Sequence, residues 1–93
     1  MQTVAAIVPV LNEARGIEAL LDALRVHDLR EIIVVDGGSD DGSREIVQSV
    51  RARHRDGRIM LVETARGRAL QMNAGAQRAT AGILVNLSRL LAG

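Results

Sequence analysis

Apolar residues in this chain fall into short continuous runs that are separated by segments of mixed polarity. The runs span residues 4–10, 32–35, 59–62 and 83–85. Runs of this length without alternation are typical of strands that are buried on both faces, as in parallel sheets. Pro9 stands near the end of the first run, where its missing N–H does little harm. The pattern therefore predicts four buried strands.

The segments between the runs carry apolar residues at helical spacing. The apolar stripes consist of Ile17, Leu20, Leu21 and Leu24 in the first segment and of Ile46, Val47 and Val50 in the second. The third segment, residues 69–79, is rich in alanine, and we expect its Asn73 and Gly75 to pack the helix against the sheet. Asn12 is the predicted N-cap of the first helix. The resulting order β-α-β-α-β-α-β predicts an α/β fold with right-handed crossovers.

The amino-acid composition excludes several classes of protein. The 93 residues suffice for one domain, and 47% hydrophobic residues exclude a disordered chain. Twelve basic residues, all of them Arg, stand against eleven acidic ones, which argues against a nucleic-acid partner. The absence of Phe, Tyr and Trp excludes base stacking on aromatic rings, and the absence of Cys excludes disulfides. No apolar run reaches the roughly 18 residues of a membrane span, and no signal peptide is evident, so we expect a cytoplasmic protein.

Three segments follow the predicted strands at the edge where open α/β sheets bind their ligands. Residues 9–13 and 36–43 carry acids and amides, and residues 65–68 carry two arginines. A carboxylate can accept hydrogen bonds from a base or a ribose, glycine lets the backbone approach closely, and arginine binds phosphate. These three kinds of group together favour a nucleotide as the ligand.

Residues 36–43 also allow interpretations other than a nucleotide site. Their Asp, Gly and Ser residues also make an ordinary strand-to-helix turn with N-caps. A calcium loop is excluded, because Gly38, Asp41 and Val47 stand where that loop needs an oxygen ligand, a glycine and a glutamate. No G-x-G-x-x-G follows the first strand, and a P-loop is excluded because the chain has no Lys.

Three ordered motifs resemble those of family 2 glycosyltransferases, which have the GT-A fold. Residues 7–13 read I-V-P-V-L-N-E, and residues 33–43 read I-V-V-D-G-G-S-D-D-G-S, similar to the family's V-V-D-D-G-S-x-D-G-T. Residues 66–76 resemble a subgroup's G-R-A-x-Q-M-N-x-G-A. The resemblance extends to about Gly82. It implies a Rossmann-like parallel sheet in the order 3-2-1-4, with residues 1–93 as the N-terminal nucleotide-sugar-binding half of the domain and residues 83–93 as an atypical tail.

The resemblance also implies a site and a substrate. In the family, the first motif lines the nucleotide pocket, an acid matching Asp36 binds the base, and the third motif flanks the base and diphosphate. The nucleotide-binding residues implied here are Pro9, Val10, Leu11, Asn12, Glu13, Asp36, Gly38, Ser39, Arg66, Gly67 and Arg68. Gly37 replaces the second Asp of the family's D-D pair. The implied partner is a UDP- or GDP-linked sugar, which the family transfers to an acceptor hydroxyl.

One element of the family pattern is missing. A D-x-D-type motif after the fourth strand normally holds a divalent metal, Mn or Mg, but residues 83–90 contain no acid. The family's acceptor half and its catalytic base would follow Gly93. We therefore expect no metal to bind well, no catalytic residue in the chain, and no activity from this truncated form.

The alternative is a non-catalytic nucleotide-binding or self-associating module. The tail carries apolar side chains at Ile83, Leu84, Val85, Leu87, Leu90 and Leu91. The spacing of Leu84, Leu87, Leu90 and Leu91 also fits a helix. An apolar segment of this kind needs a partner surface, so we expect a homodimer or a larger assembly through residues 83–91.

Overall fold

The computed structural model describes residues 2–87. The strands are β1 (Val4–Val10), β2 (Glu31–Asp36), β3 (Ile59–Glu63) and β4 (Ile83–Asn86). The helices are α1 (Ile17–Arg25), α2 (Ser43–His54) and α3 (Arg68–Arg78). The strands form one sheet in the order β3-β2-β1-β4, and every neighbouring pair is parallel. The predicted fold class, strand count and strand order are confirmed.

Both faces of the central strands β1 and β2 are covered, which explains their continuous apolar runs. Successive residues of a strand point to opposite faces, so the buried side chains form two clusters. The cluster beneath α1 and α2 contains Ala6, Val8, Val10, Ile17, Leu21, Leu24, Ile32, Val34, Val47, Val50 and Ile59. The cluster on the α3 side contains Ile7, Ile33, Val35 and Val62, with Met60, Met72, Ala74 and Ala79 packed against it. The central strands β1 and β2 are thus buried from both sides.

Helix α1 begins later than the sequence predicted. Asn12 has a left-handed backbone, with φ of 53°, and Gly16 takes the N-cap position without a side-chain cap. The prediction of Asn12 as N-cap is wrong, because its side-chain Oδ1 instead accepts a hydrogen bond from the Asp40 N–H, at 2.9 Å. The segment between β1 and α1 is a loop that faces the chain after β2.

Gly75 lets α3 approach the sheet closely. A Cβ at this position would lie 2.6 Å from Ile7 Cγ2 and 3.1 Å from Val35 Cγ2, so its expected packing role is confirmed. The same expectation for Asn73 is wrong, because that residue is exposed. Residues two positions apart in a helix lie about 200° around its axis, so one of the two faces solvent when the other faces the sheet.

Strand β4 is the least covered element. It pairs with β1 alone, and Ile83, Leu84 and Val85 are 42%, 44% and 39% exposed. The helical alternative for the tail is wrong for Leu84, which lies in β4, and the remainder of that segment after residue 87 lies outside the described residues. No helix among residues 2–87 is long and apolar enough to span a membrane.

At the opposite edge of the sheet, Arg58 closes the C-terminal end of α1. Its guanidinium donates to the carbonyl oxygens of Arg25 (2.8 Å), His27 (3.0 Å) and Leu29 (3.3 Å). It also donates to both carboxylate oxygens of Asp56, at 2.9 and 2.8 Å. These hydrogen bonds from Arg58 lower the pKa of Asp56 from 3.8 to about 2.

Asp56→Asn is expected to lower the free energy of unfolding at neutral pH. In acid, the difference in this free energy between the variant and the parent protein should become smaller. The lowered pKa means that ionised Asp56 stabilises the fold by about 2 kcal/mol above its ordinary pKa of 3.8. That contribution is lost as the pH falls from 3.8 through about 2. Urea unfolding of both proteins across this pH range measures the difference, and a difference that does not shrink in acid contradicts the prediction.

Candidate functional site

The carboxyl ends of three strands meet at one edge of the sheet. Val10 of β1 lies beside Asp36 of β2, which in turn lies beside Glu63 of β3. The segments that follow are called here the first loop (residues 11–16), the second loop (residues 37–42) and the third loop (residues 64–67). Because the strand ends are in register, all three predicted loops start side by side.

Four hydrogen bonds join the first loop to the second loop and to the first residue of α2. The N–H groups of Asn12, Glu13 and Ala14 donate to Ser39 Oγ (2.9 Å), Ser43 Oγ (3.0 Å) and Asp41 Oδ2 (3.0 Å), and the Asp40 N–H donates to Asn12 Oδ1 (2.9 Å). The partners are 27 to 30 residues apart in sequence. The two loops therefore form one unit, and three successive backbone donors of the first loop are already satisfied.

Asp36 holds the start of the second loop. Its side chain is 1% exposed, and Oδ2 accepts hydrogen bonds from the N–H groups of Gly38 (3.0 Å) and Ser39 (2.9 Å). The Ser39 hydroxyl donates to Oδ1 while it accepts from Asn12, so it links the strand end to both loops. Gly38 adopts a φ of 101°, which favours glycine. The carboxylate is directed into its own loop and not towards solvent.

Asp41 has a similar role at the start of α2. Its Oδ1 accepts from the N–H and the hydroxyl of Ser43, and its Oδ2 accepts from Ala14. These bonds, the Ser43 hydroxyl first, lower the pKa of the Asp41 carboxyl. The N-cap itself is Gly42, with a left-handed backbone. The strand-to-helix turn that the sequence allowed for this segment is therefore present, but the expectation that an Asp or Ser is its N-cap is wrong, because Gly42 takes that position without a side-chain cap.

The third loop brings positive charge to the same edge. Arg66 and Arg68, called here the arginine pair, are both exposed, and their side chains make no hydrogen bond or ion pair with other residues of the described chain. Arg68 begins α3, whose first turn contains no acidic residue. The N-terminal end of a helix carries partial positive charge, so this position attracts anions.

Two further contacts hold the start of the third loop and the end of β3 against β2 and α2. The Thr64 N–H donates to the Asp36 carbonyl oxygen at 2.9 Å. Arg44, in the first turn of α2, forms an ion pair with Glu63, with 2.7 Å between Nη1 and Oε1. Its Nε lies 3.9 Å from Oδ2 of Asp36. The hydrogen bond and charge of Glu63 raise the pKa of Arg44. Polar contacts thus fix the start of the third loop at the end of β2, where the second loop also starts.

The structure places all the predicted nucleotide-binding residues at this edge, but with different exposure. The exposed ones are Asn12, Gly38, Arg66 and Arg68; Pro9, Leu11, Glu13 and Gly67 are partly buried; Val10, Asp36 and Ser39 are buried. Sequence reasoning gave no role to Gln71, which is 5% exposed and donates to the carbonyl oxygens of Val10 and Val35. Its signals in the sequence were a polar side chain within an alanine-rich helix and its match to the Q of the third motif.

The described residues do not fit a divalent metal. Within residues 2–87, no group of three or more His, Cys, Asp or Glu is placed to hold a metal ion. Both oxygens of Asp41 accept hydrogen bonds from the protein, and β4 ends at Asn86, where the family motif would supply acids. A hard cation needs several oxygen ligands, which this edge does not gather.

Two surface grooves lie elsewhere on the described chain. One, of about 480 Å³, lies at the C-terminal end of α2 and is lined in part by Arg51, Arg55 and Asp56. The other, of about 280 Å³, lies near the start of β1 beside Asp28 and Arg30. Neither includes a residue of the three loops, so it is the convergence of polar groups that locates the candidate site.

The sequence profile of the family described as "Glycosyl transferase family 2" matches residues 5–88. The chain is 31% identical over 88 residues to the glycosyltransferase AglE of Haloferax volcanii, which covers 90% of this chain and 29% of AglE. It is 40% identical over 60 residues to the succinoglycan biosynthesis protein ExoA of Rhizobium meliloti, which covers 61% of this chain and 18% of ExoA.

Solved structures agree with these sequence matches. The mannosyltransferase PcManGT from Pyrobaculum calidifontis, in complex with GDP-Man and Mn²⁺, has a TM-score of 0.83 at 36% identity, covering 91% of this chain and 27% of that one. Glucosyl-3-phosphoglycerate synthase from Mycobacterium tuberculosis, in complex with Mn²⁺, UDP and glucosyl-3-phosphoglycerate, has a TM-score of 0.76 at 20% identity, covering 94% and 33%. The second likeness shows the fold alone. The chain spans a third or less of each of these proteins.

Ser39→Ala is expected to weaken the hydrogen bonding that holds the first loop to the second loop. The substitution removes the acceptor for the Asn12 N–H and a donor to buried Asp36, a loss of about 1–3 kcal/mol. Hydrogen exchange at the Asn12 amide should accelerate by about tenfold or more. Ser49→Ala, at an exposed position of α2, is the matched control. Equal exchange rates at Asn12 in the two variants contradict the prediction.

Proposed function

The chain belongs to glycosyl transferase family 2, and we propose that it is the nucleotide-sugar-binding part of such an enzyme. The observation that carries the proposal is the convergence of three loops at the carboxyl ends of β1, β2 and β3, with the arginine pair exposed beside them. Open α/β sheets bind ligands at this edge. Arginine is suited to phosphate, because its planar fork can donate two parallel hydrogen bonds.

The proposed arrangement assigns the two ends of the nucleotide to different loops. The diphosphate lies at the arginine pair and the start of α3, and the base lies against the joined first and second loops. Of the predicted nucleotide-binding residues in these two loops, Asn12 and Gly38 are the exposed ones. The predicted contact between Asp36 and the base requires a change in hydrogen bonding. Because the Asp36 carboxylate is 1% exposed, the base must replace a hydrogen bond that Gly38 or Ser39 now donates to it.

The ligand class follows from the relatives. PcManGT, 36% identical over the matched region, was solved with GDP-Man, and glucosyl-3-phosphoglycerate synthase with UDP. We infer that this chain binds a nucleoside diphosphate linked to a sugar, and GDP is the first nucleotide to test because its source is the more similar protein. In the whole enzyme the sugar would be transferred to an acceptor hydroxyl.

Turnover by residues 2–87 alone is not part of the proposal. Both of these structures contain Mn²⁺, whereas the described residues of this chain do not supply its ligands. The role proposed for this part is therefore to bind and orient the nucleotide, and the transfer step is left to the whole enzyme. A cytoplasmic location remains a prediction.

Self-association is the second candidate role, and the exposure of β4 favours it. Burying a Leu or Ile side chain stabilises a protein by about 1.5–3 kcal/mol, and β4 leaves three apolar side chains about two-fifths exposed. As an edge strand it also offers backbone groups for pairing with another chain. A second copy related by a two-fold axis could cover both, since this is the commonest symmetry of oligomers.

Substitution of the arginine pair is expected to weaken nucleotide binding. Arg66→Ala and Arg68→Ala each remove a charge-assisted contact with phosphate, and we expect about a tenfold loss of GDP or UDP affinity for each. Arg78→Ala is the matched control, because Arg78 is exposed on the same helix but at its last turn. Titration calorimetry measures the affinities. Equal affinity of all three variants and the parent chain would refute the phosphate contact.

The homodimer prediction is tested by light scattering at micromolar concentration. We expect a particle of at least twice the 10.0 kDa chain mass, and Leu84→Glu should return it to the monomer. Val26→Glu is the control, because Val26 is 80% exposed and lies at the end of α1, outside β4. A parent chain that is monomeric and unfolds cooperatively would exclude self-association through β4.

A further inference from the structure

Gln71 lies where the ends of β1 and β2 meet the first turns of α3. It is 5% exposed, and its Nε2 donates one hydrogen bond to the carbonyl oxygen of Val10 (3.0 Å) and another to that of Val35 (2.9 Å). Both bonds are buried, and they use both hydrogens of the amide group. One side chain of α3 therefore ties together the ends of the two central strands.

Gly37 leaves the space that this amide occupies. A Cβ at position 37 would lie 2.9 Å from Cδ and Oε1 of Gln71 and 3.0 Å from its Nε2. Gly38 has a positive φ, but Gly37 does not. Glycine is therefore required at position 37 because a side chain would collide with Gln71, and not because of the backbone conformation. The Gly37 N–H also donates to the Val10 carbonyl oxygen, at 2.9 Å, so that oxygen accepts from both members of the pair.

The pair adjoins all three loops. Val10 immediately precedes the first loop, and Gly37 begins the second. The backbone N–H of Gln71 donates to the carbonyl oxygen of Gly67 in the third loop, at 2.9 Å. The two side-chain hydrogen bonds of Gln71 hold the first turns of α3 against the ends of β1 and β2, so their loss would change the distance between the arginine pair and the joined first and second loops.

We propose that Gln71, fitted against Gly37, is a positioning residue that sets this distance, so that one nucleoside diphosphate can reach the arginine pair and the first two loops at once. The nucleotide part of this inference rests on the proposed function. The coupling between Gln71, Gly37 and the third loop rests on the contacts above and does not require a ligand.

The first experiment measures nucleotide affinity. Gln71→Met keeps the length of the side chain and removes both donors, and Gln77→Met changes an exposed residue of the same helix. At a temperature where both variants are fully folded, we expect GDP and UDP affinity to fall about tenfold for Gln71→Met only. Unchanged affinity for this variant overturns the positioning role and leaves the proposed function intact. A parent chain that binds neither nucleotide overturns the proposed function, and with it the nucleotide part of this inference.

The second experiment tests the coupling in the absence of nucleotide. Gly37→Ala should lower the melting temperature strongly, whereas Gly37→Ala combined with Gln71→Ala should melt close to Gln71→Ala alone, because the new methyl group enters the vacated space. Additive effects overturn the proposed fit. Gly37→Ala should also shift the amide resonances of Arg66 and Gly67 in the third loop, and unshifted resonances overturn the coupling.

Discussion

The parallel pairing of β1 with β2, with Val10 beside Asp36, places the ends of the two central strands at one edge of the sheet. The polar contacts between the first loop and the residues that follow β2 depend on that register. The first and second loops start close enough for Ser39, Asp41 and Ser43 to accept the backbone N–H groups of the first loop. A shift of one residue would exchange the two faces of a strand and bury the wrong side chains, so the packing of the core also fixes the geometry of the loops.

The strands could be predicted because burial on both faces leaves a local signal. Residues 32–35 are apolar without alternation, and all four are buried. The start of α1 could not be predicted, because what decides it is not local. Asn12 looks like an N-cap in sequence, but its side chain contacts Asp40, 28 residues away. Tertiary hydrogen bonds of this kind leave no periodic pattern along the chain.

For the acids of the candidate site, too, the residue type does not predict which groups the side chain contacts. Asp36 and Asp41 occupy positions that suggest ligands, yet their carboxylates accept hydrogen bonds from Gly38, Ser39 and Ser43. Such bonds satisfy backbone donors at the start of a loop or helix, which would otherwise lack partners. Their negative charge is thereby used to shape the loops, while the arginine pair remains exposed beside them. This division of charge is the physical reason to expect an anionic ligand here.

The proposed site and the exposed strand occupy different parts of the sheet. The loops and Gln71 depend on β1, β2, β3 and α3, whereas β4 pairs with the other edge of β1. Val10 and Val35 lie in strands whose apolar residues are almost fully buried, while Ile83, Leu84 and Val85 are about two-fifths exposed. A partner of β4, be it further chain or a second copy, would add to the sheet on the side of β1 that faces away from β2. The polar contacts that shape the three loops are already made among residues 10–71, so they do not depend on what covers β4.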